Sequence, residues 1–220
     1  MKNKILTIIF LLGLVGLFSC QPEEFELANV SDIFITWSPL TINVNNEVSL
    51  ADGSRGVKSR LWTFPGNGLV DILGSSNDEV STERIVFAVF KQPGVFPVRL
   101  QADFNNPNVV LDSIITVTVL DNVSAKFVSD AQTQDGILVV EVGDVINYTS
   151  VSTGSPAFYA WTFDGGTPEK VTKSTAVVKY EYLGSWDVTL IAYRNSPRGS
   201  DTLTIKDYIK VIPSSKGVGR

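Results

Sequence analysis

Few residues of this 220-residue chain could do chemistry: it has no histidine, a single cysteine at Cys20, and 23 acidic against 18 basic residues. Without imidazole, general acid–base work near neutral pH and imidazole metal ligation are both missing, and no serine or cysteine stands beside a base. One cysteine excludes a disulfide framework and a Cys-based metal site. Paired carboxylates can hydrolyse glycosides, but the acidic residues here fall mostly in turns and near the N-terminus, with no signal of a shared cleft. The chain therefore reads as non-enzymatic, with no catalytic residue, metal or cofactor assigned. Asn77-Asp78-Glu79 and Asp164 offer calcium ligands on loops. Neither carries the D-x-[DN]-x-[DN]-G pattern of a strong calcium site, and solvated turns are the plainer reading.

Aromatic surface is the remaining class, because a sugar ring can stack its apolar face on an exposed aromatic plane. Phe158 falls on the outward register of its strand, Tyr193 and Phe104 end strands beside loops, and Trp37 lies in the first strand. These four are the candidate stacking residues. Packing against a neighbouring strand or domain is the competing reading for each. Trp62, Trp161 and Trp186 are assigned to cores.

The N-terminus sets the compartment. Met-Lys-Asn-Lys leads into Ile5 to Phe18, almost without polarity, and closes Leu17-Phe18-Ser19-Cys20. A charged start, a short apolar run and small residues at the end describe a secretion signal over residues 1–19, since a spanning helix needs about 20 apolar residues. LFSC resembles the lipobox of bacterial lipoproteins. That resemblance implies cleavage before Cys20 and lipidation of it, hence a membrane tether made of acyl chains; a leftover thiol in an ordinary signal peptide is the alternative. Residues 20–29 form an acidic tether, and Gln21-Pro22-Glu23-Glu24-Phe25-Glu26 resembles the export signal of Bacteroidetes surface lipoproteins. It implies the outer face of the outer membrane, where a plain acidic linker would leave the protein facing the periplasm. Loss of the signal takes Lys2 and Lys4 from the 18 basic residues and leaves 16 against 23 acidic ones, a formal charge of −7. Such a surface repels nucleic acid.

The remaining chain carries one module twice. Leu61-Trp62-Thr63-Phe64-Pro65-Gly66 matches Ala160-Trp161-Thr162-Phe163-Asp164-Gly165, with the tryptophans 99 residues apart. Phe90-Lys91-Gln92-Pro93-Gly94-Val95-Phe96-Pro97-Val98-Arg99-Leu100 matches Tyr180 through Leu190, and Asp112-Ser113-Ile114 meets Asp201-Thr202-Leu203. Within each copy the pattern has period two: Tyr159, Trp161 and Phe163 alternate with Phe158, Ala160 and Thr162, one set inward and the other outward. Turn clusters break the strands at short intervals, and no helical period follows the signal. The fold class is all-β, two antiparallel sandwiches in tandem over 30–120 and 124–212, with a C-terminal tail at 213–220. In Ala160-Trp161-Thr162-Phe163-Asp164-Gly165-Gly166-Thr167-Pro168 the glycines read as a fold corner and not a phosphate cradle, since no helix follows.

Trp161 through Pro168, Val178-Lys179-Tyr180, Gly184, Trp186 through Leu190, Gly199 through Thr202 and Tyr208 through Val211 together resemble a bacterial PKD domain. The resemblance is close from about Ala125 to Ile212 and weaker from Val30 to Leu120. It implies an immunoglobulin-like sandwich of seven strands. The first copy departs from it at Phe64-Pro65-Gly66-Asn67-Gly68, where proline replaces the acidic residue. Trp62 to Gly94 spans 32 residues against 23 from Trp161 to Gly184, so copy one holds nine extra, within 69–79. Leu69, Val70, Ile72 and Leu73 in that insert either fold back onto their own domain or form a partner loop. Asp112-Ser113-Ile114 and Asp201-Thr202-Leu203 also resemble the Bacteroidetes O-glycan acceptor, although a plain strand start is the favoured reading.

Surface lipoproteins with PKD modules often accompany glycan import in that bacterial group. The resemblance therefore implies a non-catalytic binder of a polysaccharide or of an outer-membrane β-barrel protein; the alternative is a stalk or accessory subunit with no ligand. Exposed aromatics on one face would favour the glycan, and an exposed insert would favour a protein. The short link Asp121-Asn122-Val123-Ser124 predicts two stiffly coupled modules and an elongated particle.

Overall fold

The computed structural model describes residues 32–215. The signal, Cys20, the acidic tether and residues 216–220 lie outside the described residues.

Two β-sandwiches of immunoglobulin type follow one another along the chain. In the first, β1 (Ile35–Trp37), β3 (Glu47–Asp52), β7 (Ile85–Phe90) and β5 (Val70–Ile72) make one sheet in the order β1-β3-β7-β5. Facing it, β2 (Thr41–Asn43), β9 (Val110–Leu120), β8 (Gly94–Phe104), β4 (Val57–Thr63) and β6 (Val80–Ser81) run in the order β2-β9-β8-β4-β6. The second sandwich repeats the plan. One sheet is β10 (Phe127–Ser129), β13 (Val145–Ser150), β17 (Thr175–Tyr180) and β15 (Gly166–Thr167), in that order. The other joins β11 (Thr133–Gln134), β12 (Ile137–Glu141), β19 (Arg198–Ile212), β18 (Gly184–Asn195), β14 (Phe158–Phe163) and β16 (Lys170–Val171).

The first strand of each module splits between its two sheets. In sandwich 1, Ser38-Pro39-Leu40 separates β1, antiparallel to β3, from β2, parallel to β9. A proline cannot donate to a ladder, so the chain changes sheets there. In sandwich 2, Asp135-Gly136 turns the β11–β12 hairpin with positive φ at both residues, the geometry a two-residue turn of that hand requires.

Each core is centred on one tryptophan. Trp62 pairs with Leu100 on one side and Ser81 on the other, and Trp161 sits equivalently between Leu190 and Val171. Both are fully buried, and both indole N–H groups donate to a backbone carbonyl just past the short partner strand, Glu83 at 3.0 Å and Lys173 at 2.8 Å. Burying such a side chain removes roughly 150–250 Å² from water, which stabilises by about 4–6 kcal/mol. Around Trp161 stand Phe127, Tyr148 and Phe163. The buried hydroxyls of Tyr148 and Tyr180 satisfy each other at 3.0 Å. Burial raises the pKa of both, that of Tyr180 to about 12.

Period two fixes the faces. Along β8, Val98, Leu100, Ala102 and Phe104 point inward. Phe104, only 4% exposed, is therefore core, and the expectation of a stacking platform there is corrected: it shares the inward parity of Leu100. Of the two readings of the copy-one insert, the structure shows the folded-back one, and only the partner-loop reading is corrected. Val70 and Ile72 lie on β5, buried against β7, Leu69 is half-buried against the core, and only Leu73 is exposed. The insert thus adds a strand to its own sheet, and Asp78 Oδ1 accepts the Ile72 N–H at 3.0 Å to fasten it. Trp186 is half-buried, not core. It lies over Gly165, where a Cβ would stand 2.4 Å from the indole, and Gly165 has φ +65°. Gly165 is the corner that admits that ring, while at Gly166 a Cβ would strike Val178 at 2.5 Å.

The link belongs to sandwich 2. Val123 and Ala125 are buried in its core, and Ser124 bridges to Thr153. Gly154 (φ +77°) approaches so closely that a Cβ would lie 2.2 Å from the Asn122 carbonyl oxygen. Arg194, almost wholly buried, donates to the Asp121 carbonyl at 2.7 Å and to Asn43 Oδ1 of sandwich 1 at 2.6 Å. At the far end the chain stays attached past β19, where Ser215 donates to the Glu141 carboxylate.

Candidate functional site

The inward residues Tyr159, Trp161 and Phe163 pin β14 against the core and so present Phe158, Ala160 and Thr162 on the outer face of the six-stranded sheet. Registry with β18 and β19 then sets three rows across that face. Phe158 stands opposite Tyr193, and Tyr193 opposite Ser200. The next row is Ala160, Ile191 and Thr202, and the third is Thr162, Thr189 and Thr204, extended by Lys170 on β16.

Phe158 and Tyr193 stack, with ring centroids 5.3 Å apart and planes 26° from parallel. Phe158 is 44% exposed and Tyr193 half-buried. Each ring covers one face of the other, and β16 pairs only with Trp161 and Thr162, so no strand flanks Phe158 on its outer side. The Thr189 and Thr204 hydroxyls meet at 2.9 Å. At the far end of the face Asp187 binds Lys206, and that hydrogen bond, with a second from the Asp207 N–H, holds the Asp187 carboxyl below the usual carboxylate range. An apolar stacked pair beside rows of hydroxyls, with charge confined to the edges, can hold a neutral polyhydroxylated chain by stacking and hydrogen bonding. It offers no nucleophile, and among the described residues no three His, Cys, Asp or Glu side chains gather as a metal site.

Of the four aromatic candidates the structure brings Phe158 and Tyr193 together. Trp37 and Phe104 belong to the other sandwich, Trp37 half-exposed at the edge where β1 leaves its sheet. Cys20 lies outside the described residues. Two of the loop oxygens weighed for calcium serve the turn: Asn77 Oδ1 accepts the N–H groups of Glu79 and Val80 at 2.8 and 3.2 Å, and Asp78 Oδ1 that of Ile72. The outward place of Thr162 is legible in the sequence, but its grouping with Thr189, Thr202 and Thr204 escaped notice. Their signal was Thr202 and Thr204 alternating with Leu203 and Ile205, which is also how any solvated strand face reads.

The turn Asn195 to Arg198, just beyond Tyr193, lines a depression of about 280 Å³ together with Ser38, Pro39, Asn46 and Glu47 of sandwich 1.

No family model matches the chain, and no curated protein matches it. Among solved structures it is similar to a Dscam structure described for isoform specificity (15% identity, 84% of this chain and 47% of that one, TM-score 0.43). It is also similar to a C-terminal 282-residue fragment of intimin in complex with the intimin-binding domain of the translocated intimin receptor (14%, 80% and 64%, TM-score 0.45). A third is the I-band fragment I67–I69 of titin (13%, 82% and 65%, TM-score 0.48). The chain spans about half the length of the Dscam chain and just under two thirds of the intimin fragment. Nothing about function follows from likenesses of this size.

Proposed function

We propose that the chain is a non-catalytic surface lipoprotein of PKD type, anchored through Cys20 to the outer membrane, that holds a polysaccharide on the Phe158–Tyr193 face. The observation that carries this reading is the stacked pair itself: two large rings kept on an open sheet face, beside hydroxyl rows, where neither serves the core. The folded-back insert supports it too, since of its apolar residues Leu69, Val70, Ile72 and Leu73 only Leu73 is left exposed for a protein partner. A second reading, a ligand-free stalk or accessory subunit of an outer-membrane complex, draws on the Arg194 clamp that fixes one sandwich against the next.

Purification of the lipidated protein from native membranes separates the two. Polysaccharide retained by the wild type and lost from Phe158→Ala supports the binding face. Co-purification with a large β-barrel protein and no glycan transfers the assignment to an accessory subunit, and recovery with neither leaves the stalk.

A further inference from the structure

Sandwich 1 has a free end, and the chain enters there. β3 runs from Glu47, beside the link, to Asp52 at the opposite pole, and Asp32 to Phe34 extend β1 along Gly53 to Arg55 at that pole. Phe34 is 61% exposed and Ile33 51%, with exposed Val110 at the same end. Single exposed apolar residues are ordinary. What sets Phe34 apart is how it is held.

Its N–H donates to Ser54 Oγ at 3.0 Å and its carbonyl accepts from the Gly53 N–H at 2.7 Å. The ring lies on Gly53, where a Cβ would strike it at 2.5 Å. Ser54 is fixed in turn by Asp52, whose carboxylate takes the Ser54 N–H at 3.0 Å and Arg60 Nε at 3.0 Å. Asp52 is fully buried, a costly placement for a charge. A buried carboxylate, a buried hydroxyl and a required glycine thus combine to hold one phenylalanine out in solvent.

We propose that this free pole, led by Phe34 and Ile33, rests on the lipid surface to which the chain is tethered. The inference relies on the lipidation of Cys20 proposed above. Eleven residues lie between Cys20 and Asp32. A chain of that length reaches at most about 40 Å, so the pole that receives it stays within reach of the bilayer. The acyl chains hold the protein at the bilayer, and aromatic or aliphatic side chains at the headgroup level add an interfacial contact of the folded module itself. Charge at this end is balanced, Arg55, Lys58 and Arg84 against Asp32, Glu83 and Asp103. The contact is therefore apolar and insensitive to salt. Sandwich 2 and its aromatic face then project away from the membrane.

The test uses the mature lipidated chain in phosphatidylethanolamine–phosphatidylglycerol vesicles with brominated acyl chains, which quench nearby indoles. Phe34→Trp is the first reporter, Ile33→Trp the second should the first fail to fold, and Tyr182→Trp, on the exposed β17–β18 turn at the far end, the control. Flotation with the vesicles plus about twofold greater quenching at 34 or 33 than at 182, unchanged in 0.5 M salt, is the result expected. Flotation with equal quenching at both ends overturns the docked pole and leaves the anchor intact. A chain without acyl mass that fails to float removes both.

Discussion

Arg194 of sandwich 2 reaches Asn43 of sandwich 1, Nη2 to Oδ1 at 2.6 Å, and the same Asn43 amide returns a bond to the Arg198 carbonyl at 2.8 Å. Two residues 151 apart in sequence thus close a reciprocal clasp across the link. Asn43→Ala removes both of these cross-domain bonds and leaves the contacts of Arg194 within its own module, so it costs about 1–2 kcal/mol and loosens the angle between modules. Arg194→Ala also abandons the Asp121 and Pro197 carbonyls and costs roughly 2–3 kcal/mol. Residual dipolar couplings check this: one alignment tensor should fit both modules of the wild type and fail for either variant. A single tensor surviving in Arg194→Ala would show that the clasp does not set the angle.

Gly154 makes a sharper demand on the same junction. Alanine there meets both a positive φ and a backbone oxygen at 2.2 Å, whereas Gly143 has φ +92° with open space around it. Gly143→Ala should cost about 1–2 kcal/mol through conformation alone, and Gly154→Ala clearly more, because the link must shift as well. Urea unfolding of the two variants measures the difference; equal losses would mean the link yields freely.

On the sheet face, Phe158→Ala and Tyr193→Ala are each expected to weaken polysaccharide binding by about 1–3 kcal/mol, the range for stacking on an aromatic platform. Since each ring props the other, the double variant should lose less than the sum. Titration calorimetry on all four proteins closes the cycle. Strict additivity would mean that the rings act separately and that their stack is incidental.

Much of this architecture is legible in the residues. The 99-residue spacing of Trp62 and Trp161 announces the duplication, and the alternation around each tryptophan places it inward, because side-chain period two survives any change of loop. Phe104 was legible too, through its parity with Leu100, but its place at a strand end drew attention to the neighbouring loop. Val70-Asp71-Ile72 was not legible as a strand: three residues are too few to carry a period, and what holds them is pairing to Ala88–Phe90, which only the fold supplies. The meeting of Phe158 and Tyr193 depends on strand registry, and the carboxylate that steadies Phe34 lies 18 residues downstream. Relations of that kind are set by tertiary pairing, beyond what local pattern encodes.

Asp52 gives sandwich 1 a dependence on acid. Burial opposes the charge on its carboxyl, yet hydrogen bonds from Ser54 and Arg60 outweigh that and hold its pKa below the ordinary value. The unfolded chain therefore binds this proton more readily than the folded one. The stability Asp52 contributes is complete above its unfolded pKa of about 3.9 and is lost as the pH falls through the lower folded value. Asp52→Asn keeps the shape, weakens the bonds to Ser54 and Arg60, and should cost roughly 2–3 kcal/mol at pH 7. Between pH 5 and pH 2.5 the wild type should then lose more stability than the variant, and hydrogen exchange at the β3 and β4 amides and at Phe34 reports it locally. If the two proteins show parallel acid profiles, the charge on the buried carboxylate is not what fastens the entry strand, and the placement of Phe34 must rest on Ser54 and Gly53.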